Sequence, residues 1–253
     1  MLQYNTWTIE QNAWNPTEEQ AIQQQLTFSN DYLCQTAHFE EHYSGAHRLC
    51  TYIKGIDVAI LNLSAISVRL RDERLDLNEW KVEQFYRCLY KNQPLLERHF
   101  EVTSPNGNRL NVTAKRQLAI DRKECMRLEY EVQSVNYTGP ITILSVLRGG
   151  EEIEKWYPVM NDVRDDLCWT WMQLQPMNIQ LCCAMKYRLK KNTTWVTKRP
   201  VKVEKQEVIG YSVTQQVVPG DRLTLYKDVA VVDSNRCAKD HLIEEAIRCL
   251  TNW

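Results

Sequence analysis

The stretch LLERHFEVT-SPNGN-RLNVTAKRQLAI, residues 95–120, decides the fold class of this chain. Two runs rich in β-forming residues flank the tripeptide Pro105-Asn106-Gly107. Asn-Gly tolerates the positive φ angles that a tight turn requires, so the stretch predicts a β-hairpin. Much of the chain repeats this unit with weaker turns, which indicates an all-β protein.

The predicted strands recur along most of the chain. Besides the hairpin, they cover residues 51–56, 65–70, 80–89, 125–134, 141–147, 167–174, 178–189, 195–203, 208–218 and 222–232. In residues 125–134 the apolar side chains alternate with polar ones, as on a strand with one buried face. Turn signals at this spacing are typical of an antiparallel sandwich and not of parallel strands joined by helices.

Helical patterns are predicted near the two ends. A short helix that Asn15 or Thr17 could cap runs through Ala21 and Ile22 to about Leu26, and the polar residues 31–50 are predicted to form a long loop. The last residues, 235–253, follow the potential cap Asp233-Ser234-Asn235 and carry apolar side chains at helical spacing. This helix is either docked on the sheet or the start of a linker to a further domain.

Composition narrows the function classes. The chain has 253 residues, with 31 basic and 32 acidic side chains, so we expect neither nucleic acid nor an anionic membrane as a partner. No apolar run approaches the roughly 20 residues of a membrane span. The nine cysteines are irregularly spaced and include no Cys-x-x-Cys. We expect them to be reduced and the protein to be cytoplasmic.

One motif suggests a metal. His38-Phe39-Glu40-Glu41-His42 matches the His-x-x-Glu-His pattern of a class of zinc peptidases, and His47 and Asp57 could be further ligands. That chemistry requires a helix, so that the two histidines lie one turn apart. The flanking residues form helices poorly and carry no cap, which favours a polar loop. We therefore expect no metal and no other cofactor.

Two aromatic segments suggest binding surfaces. Residues 186–205 combine basic side chains with Tyr187 and Trp195, as a nucleic-acid platform does, but their alternation favours the solvated face of an edge strand. Trp169 and Trp171 are predicted on the same side of one strand. With Trp156 and Tyr157 they could stack on a sugar, or they could belong to the core or an interface. The residues that would bind a substrate stay unassigned.

Four pairs of adjacent acidic residues are candidate catalytic groups. They occur at Glu18-Glu19, Glu40-Glu41, Glu151-Glu152 and Asp165-Asp166. A glycosidase needs two carboxylates across a cleft, whereas neighbours on a strand point to opposite faces. No phosphate loop, dinucleotide fingerprint or Gly-x-Ser-x-Gly is present. We therefore assign no catalytic residue to this chain.

Short motifs along the whole chain resemble the N-terminal domain of glycoside hydrolase family 65, which includes maltose, trehalose and kojibiose phosphorylases. They are Trp7, Asn30-Asp31-Tyr32-Leu33-Cys34, Glu40-Glu41, Thr51-Tyr52-Ile53-Lys54-Gly55, Asn62-Leu63-Ser64, Leu75-Asp76-Leu77, Leu95-Leu96-Glu97-Arg98, Lys115-Arg116, Leu225-Tyr226-Lys227 and Asp233-Ser234. Asp31 and Cys34 replace the glycines of the family pattern, and Ser64 stands where proline is usual. These departures indicate a divergent member with a differently shaped loop.

The resemblance implies a fold and a division of labour. Residues 1–232 would form a large antiparallel β-super-sandwich of the galactose-mutarotase type, and residues 233–253 would begin a linker helix to an (α/α)6 catalytic barrel outside this chain. The apolar face of that helix would lack its packing partners here. Arg98 and Arg116 are expected to be buried partners of carboxylates of the sandwich and not ligands for a sugar.

The implied function is that of a non-catalytic N-terminal domain in an inverting phosphorylase or hydrolase of α-linked disaccharides. The domain would support the barrel, which would bind the carbohydrate substrate, and could form a homodimer. The alternatives are a stand-alone carbohydrate-binding β-sandwich module and, further away, a zinc metallopeptidase built on His38 and His42.

Overall fold

The computed structural model describes residues 2–41, 51–148, 156–175, 177–205 and 208–251. One large antiparallel sheet packs against two smaller antiparallel sheets, and a single apolar core lies between them. The predicted all-β sandwich with a C-terminal helix is confirmed.

The strands follow the chain in order. The first ten are β1 (Leu2–Tyr4), β2 (Thr8–Gln11), β3 (Phe28–Ser29), β4 (Leu33–Gln35), β5 (Thr51–Ile53), β6 (Ile56–Ala59), β7 (Ile66–Leu70), β8 (Glu73–Arg74), β9 (Lys81–Tyr90) and β10 (Leu95–Thr103). The next ten are β11 (Arg109–Leu118), β12 (Cys125–Ser134), β13 (Gly139–Arg148), β14 (Trp156–Val163), β15 (Leu167–Leu174), β16 (Ile179–Lys191), β17 (Thr194–Trp195), β18 (Val201–Lys205), β19 (Val208–Val217) and β20 (Arg222–Asp233).

The large sheet has the order β1-β2-β9-β10-β11-β12-β20-β16-β15-β14, and β17 pairs with β16. The second sheet has the order β18-β19-β13-β7-β8, and the third has the order β3-β4-β5-β6. Both smaller sheets lie on the same face of the large sheet, which we call its inner face; the opposite face is its outer face.

The hairpin of residues 95–120 lies near the middle of the large sheet and confirms the prediction. Leu95 pairs with Gln117 and Thr103 with Arg109, without a shift of register between them. A five-residue turn joins the strands, and Gly107 has the positive φ of +80° that the Asn-Gly signal predicted. β12 continues the sheet and has the predicted bounds, with its alternate apolar side chains in the core.

The helices differ from the predictions at their ends. α1 (Glu19–Gln25) begins later than predicted and has Glu18 at its N-cap, with no side-chain cap. The predicted cap Asn15 instead accepts a hydrogen bond from the Thr17 amide, in a turn before the helix. α2 (Leu242–Thr251) begins after a 3-10 turn, so the predicted cap at residues 233–235 is wrong as well.

α2 packs on the outer face of the large sheet, which was one of the two alternatives predicted for the C-terminal helix. Its buried side chains Leu242, Ala246 and Leu250 contact β16 and β20 and form a second apolar cluster there. Small side chains on the sheet, including Ala184 and Ala230, let the helix approach closely. The expectation that the helix lacks packing partners in this chain is therefore wrong.

Several other segments also depart from the predictions, including the short strands β1, β2, β3 and β8, which were not predicted. The predicted strand 195–203 is split into β17 and β18, because Pro200 cannot donate to a ladder. β14 was missed, since Pro158 and a bulge interrupt its pattern. The predicted loop 31–50 contains β4, and its described part, residues 31–41, is mostly buried.

Gly210 of β19 offers a direct test of the contact between the β13 and β19 backbones. A Cβ built on Gly210 would lie 2.2 Å from the Ser145 carbonyl oxygen, at a backbone φ of +152°. We expect Gly210→Ala to lower the free energy of unfolding by about 3–4 kcal/mol, measured by denaturant titration. Gly107→Ala is the matched control, since its Cβ meets no atom within 4 Å, and should cost about 1–2 kcal/mol. Equal losses for the two variants would contradict this packing.

Candidate functional site

The most distinctive chemical feature of the molecule is a buried charge network. It lies between the inner face of the large sheet and residues 19–41, which we call the N-terminal segment. It comprises three arginines and three glutamates, which are Arg87, Arg98, Arg116, Glu19, Glu40 and Glu41. The arginines belong to β9, β10 and β11, and the glutamates belong to α1 and to the residues that follow β4. Every member is buried.

Arg98 lies at the centre of the network. Its Nη2 contacts the carboxylate of Glu40 and lies 2.5 Å from Oε2 of Glu41. The second oxygen of Glu41 accepts a hydrogen bond of 2.5 Å from the hydroxyl of Tyr130. The guanidinium also lies over an aromatic ring, with its carbon 4.4 Å from the centroid of Phe39. One cation thus binds two adjacent carboxylates inside the sandwich.

Arg116 holds the same segment from the neighbouring strand. Its Nε lies 2.7 Å from Oε1 of Glu40, and its Nη2 donates a 2.5 Å hydrogen bond to the backbone carbonyl of His38. Burial alone would raise the pKa of Glu40, but the attraction of Arg116 and Arg98 lowers it below the ordinary value. Glu40 is therefore an ionised partner of two cations.

Arg87 connects α1 to the sheet. Its two terminal nitrogens donate to the two carboxylate oxygens of Glu19, at 2.8 and 3.0 Å. Its Nε donates to Oε1 of Gln11 at 3.0 Å, and Nη1 also donates to the carbonyl of Ala37 at 2.8 Å. This bidentate geometry gives the strongest hydrogen bonding between an arginine and a carboxylate.

The network corrects one prediction and confirms another. Glu40 and Glu41 do not lie on a strand, so they do not point to opposite faces, and both bind Arg98. Arg98 and Arg116 are buried partners of carboxylates, as predicted. Of the other acidic pairs, Asp165 and Asp166 are exposed, and Glu151-Glu152 lies outside the described residues.

His38 belongs to this buried region and has hydrogen-bond partners already. Its Nε2 lies 2.7 Å from the hydroxyl of Ser64, and its Nδ1 lies 3.0 Å from the carbonyl of Thr36. Burial, helped by the charge of Arg116, lowers its pKa to about 3, so the ring is neutral and a weak base. The Ser64–His38 pair resembles a nucleophile and base in distance, but both residues are buried, with Ser64 fully inaccessible.

The described residues supply no second ligand for a zinc site at His38. His42 and His47 and the side chain of Asp57 lie outside them. Within the described ranges, no three His, Cys, Asp or Glu side chains are grouped so as to hold a metal ion.

The tryptophans proposed for sugar stacking lie on two different faces. Trp169 and Trp171 lie on the same side of β15, as predicted, and this side belongs to the outer face of the sheet. Trp169 is buried in the cluster beneath α2. Trp156 faces the inner core, where its Nε1 donates to the carbonyl of Ala59 at 3.0 Å, while Tyr157 is half exposed. These four aromatic residues therefore do not form one platform.

The basic segment is spread over solvated positions. β18 is an edge strand with mostly exposed residues, as predicted. Lys190 and Arg188 lie over the ring of Trp195, at 4.4 and 5.4 Å from its centroid. Trp195 therefore packs against two cations of its own chain.

Two polar sites were not predicted from the sequence. Lys227 of β20 is fully buried, and its Nζ donates to the carbonyls of Val146 at 2.7 Å and Ala65 at 3.3 Å. Burial lowers its pKa to about 7. Glu73 of β8 accepts hydrogen bonds from the side chains of Asn106 and Asn108 and thereby ties the hairpin turn to the second sheet. Neither site has a sequence signal, because each depends on partners remote in the chain.

Comparisons with known proteins identify the relatives of this chain. The model of the family described as "Glycosyl hydrolase family 65, N-terminal domain" matches residues 9–253. A solved structure provisionally named kojibiose phosphorylase, from the human microbiome, superposes with a TM-score of 0.86 at 18% identity, over 99% of this chain and 36% of that chain. At this identity the superposition shows the shared fold alone.

Curated relatives are similar over part of this chain. The α,α-trehalose phosphorylase of Thermoanaerobacter brockii is 25% identical over 58% of this chain, and the kojibiose phosphorylase of Halothermothrix orenii is 26% identical over 58%. The maltose phosphorylase of Bacillus subtilis is 22% identical over 59% of this chain. The matches cover 22%, 20% and 22% of these relatives, so the chain spans about a fifth of their length.

The network predicts a large cost for removing one buried cation. Arg98→Met leaves Glu41 without its cation, and we expect a loss of about 3–5 kcal/mol in the free energy of unfolding. Lys81→Met, which removes the exposed Lys81–Glu83 pair, should cost less than about 1 kcal/mol. Adding Glu41→Gln to Arg98→Met should recover part of the loss. Equal losses in the two single variants, by denaturant titration, would contradict the network.

Lys227 predicts a specific pH dependence. Its folded pKa is about 7 and its ordinary value is 10.5, so above pH 7 the unfolded state holds more protons and stability rises with pH. Between pH 7 and 8.5 the gain should be about 1–2 kcal/mol in the free energy of unfolding. Lys227→Met should remove that gain and flatten the profile. An unchanged slope in the variant would show that Lys227 does not titrate in this window.

Proposed function

The chain belongs to the N-terminal domain of glycosyl hydrolase family 65, and we propose that it is the supporting, non-catalytic domain of an enzyme that cleaves α-linked disaccharides. Its curated relatives are named as phosphorylases of trehalose, kojibiose and maltose, which supports a disaccharide as the substrate of the whole enzyme. A carboxyl outside this chain would protonate the leaving oxygen, while phosphate, or water in a hydrolase, attacks from the opposite face with inversion.

The buried charge network is the observation that carries the non-catalytic role. A general acid for glycoside cleavage needs a carboxyl with a raised pKa beside a substrate cleft. Glu40 has a lowered pKa, and Glu19, Glu40 and Glu41 each bind an arginine inside the sandwich. These carboxylates are held in place to bind their own chain, which is a scaffold's task.

α2 is the element that we propose as the connection to the catalytic segment. The side chains of α2 that face the sheet pack against β16 and β20. Ile243 and Ile247, at the flank of the helix, are only partly buried. Trp171 is likewise partly buried beside this cluster. We propose that an (α/α)6 catalytic barrel follows α2 and packs against this apolar flank, with the sandwich as its rigid base.

Two further properties complete the proposal. Edge strand β14 exposes Tyr157, Val159 and Met160, and these side chains support a homodimer contact. The eight cysteines within the described ranges are free, which supports a cytoplasmic protein. Among the described residues, no helix is long and apolar enough to cross a bilayer.

Catalysis and sugar binding by the isolated chain provide the test. The purified chain is incubated with phosphate and trehalose, kojibiose or maltose, and sugar phosphate is measured, with the Bacillus subtilis maltose phosphorylase as the positive control for maltose. We expect no product above the buffer value. The same sugars titrated against tryptophan fluorescence should give no saturable change, because Trp156 and Trp169 are buried and Trp195 packs against Lys190 and Arg188. Turnover would overturn the non-catalytic role, and saturable quenching would favour a carbohydrate-binding module.

A further inference from the structure

Two cysteines meet where α2 docks on the large sheet. Cys125 is the first residue of β12, and Cys249 lies in the last turn of α2, 124 residues later in the chain. The thiol of Cys125 lies 3.7 Å from the carbonyl oxygen of Cys249, and both side chains belong to the apolar cluster beneath the helix. The irregular spacing of the cysteines does not predict this pair.

The contact between the Cys125 thiol and Cys249 makes these two cysteines chemically different from the others. The hydrogen bond from Cys125 stabilises the thiolate of Cys249 and lowers its pKa below the ordinary value, while the same contact raises the pKa of Cys125. By contrast, burial raises the pKa of Cys182, in the same cluster, to about 12. Because the thiolate is the reactive form, Cys249 is the nucleophile favoured by this arrangement.

Access is also compatible with oxidation. Cys249 keeps 8% of its surface exposed near the end of the helix, whereas Cys125 is completely buried behind it. An oxidant would therefore reach Cys249 first, and Cys125 would be the resolving thiol next to it.

We propose that Cys125 and Cys249 form a redox latch, in which a peroxide converts the two thiols to a disulfide that fixes α2 to the outer face of the sheet. This latch does not depend on the proposed function. It adds to the fold a covalent bond between the last helix and the middle of the sandwich, formed only under oxidising conditions.

The chemistry balances in two steps. The thiolate of Cys249 attacks hydrogen peroxide, the O–O bond breaks, and with one proton the products are a sulfenic acid and water. The sulfur of Cys125 then attacks the sulfenic sulfur, the S–O bond breaks, and the thiol proton leaves with the hydroxyl as a second water. The two sulfurs are oxidised and the peroxide is reduced. A dithiol such as dithiothreitol reverses the bond.

The test uses the full chain, treated with a stoichiometric amount of hydrogen peroxide. We expect the titratable thiols under denaturing conditions to fall by two and the proteolytic peptides of Cys125 and Cys249 to be joined. The melting temperature should rise by roughly 5 °C, because the disulfide restricts the unfolded chain. Cys125→Ser and Cys249→Ser should abolish the cross-link and the shift. Cys182→Ser is the matched control and should retain both.

A second measurement needs no variant. Iodoacetamide at neutral pH should modify Cys249 at least about ten-fold faster than Cys182 in the untreated chain, as followed by peptide mass spectrometry. The proposal is overturned if the cross-link joins other cysteines, if the oxidised chain carries Cys249 as sulfinic acid without a cross-link, or if Cys249 reacts no faster than Cys182.

Discussion

The pairing of buried arginines with buried glutamates is the constraint on which the architecture depends. Three cations of the large sheet and three carboxylates of the N-terminal segment cancel in charge and lie out of contact with solvent. A charge in such a place is tolerated only with its partner, because the desolvation of an unpaired ion costs several kcal/mol. The network therefore specifies one position of the N-terminal segment against the sheet, and a shifted position would leave charges unpaired.

The large sheet is covered on both faces at its centre. The inner face carries the buried charge network and the apolar core, and the outer face carries α2. β16 and β20 lie under both layers, which explains their continuous runs of buried residues. A sheet held on both sides is rigid, and this rigidity supports the scaffold role that we propose for the domain. Cys125 and Cys249 lie at the same contact between helix and sheet. α2 is therefore the element to which we assign both the proposed connection to the catalytic segment and the proposed disulfide.

Local patterns predicted the elements whose structure is decided locally. The alternation in β12 and the turn at Gly107 were sufficient for the middle of the large sheet. Contacts between remote residues could not be predicted in this way. Arg98 and Glu40 are 58 residues apart, and Lys227 and Ala65 are 162 apart, so their proximity follows from the topology. The docking of α2 depends on small outer side chains such as Ala230, which carry no signal of a covering helix.

Hydrogen exchange at the Ala37 amide tests the central claim most directly. This amide donates to the carbonyl of Gln23, and the carbonyl of Ala37 accepts from Arg87, so it reports on the segment that the network holds. The network predicts that Ala37 exchanges only with global unfolding, as slowly as the amides of β12. Exchange at Ala37 that is orders of magnitude faster than in β12 would show that the segment opens independently, and would contradict the account.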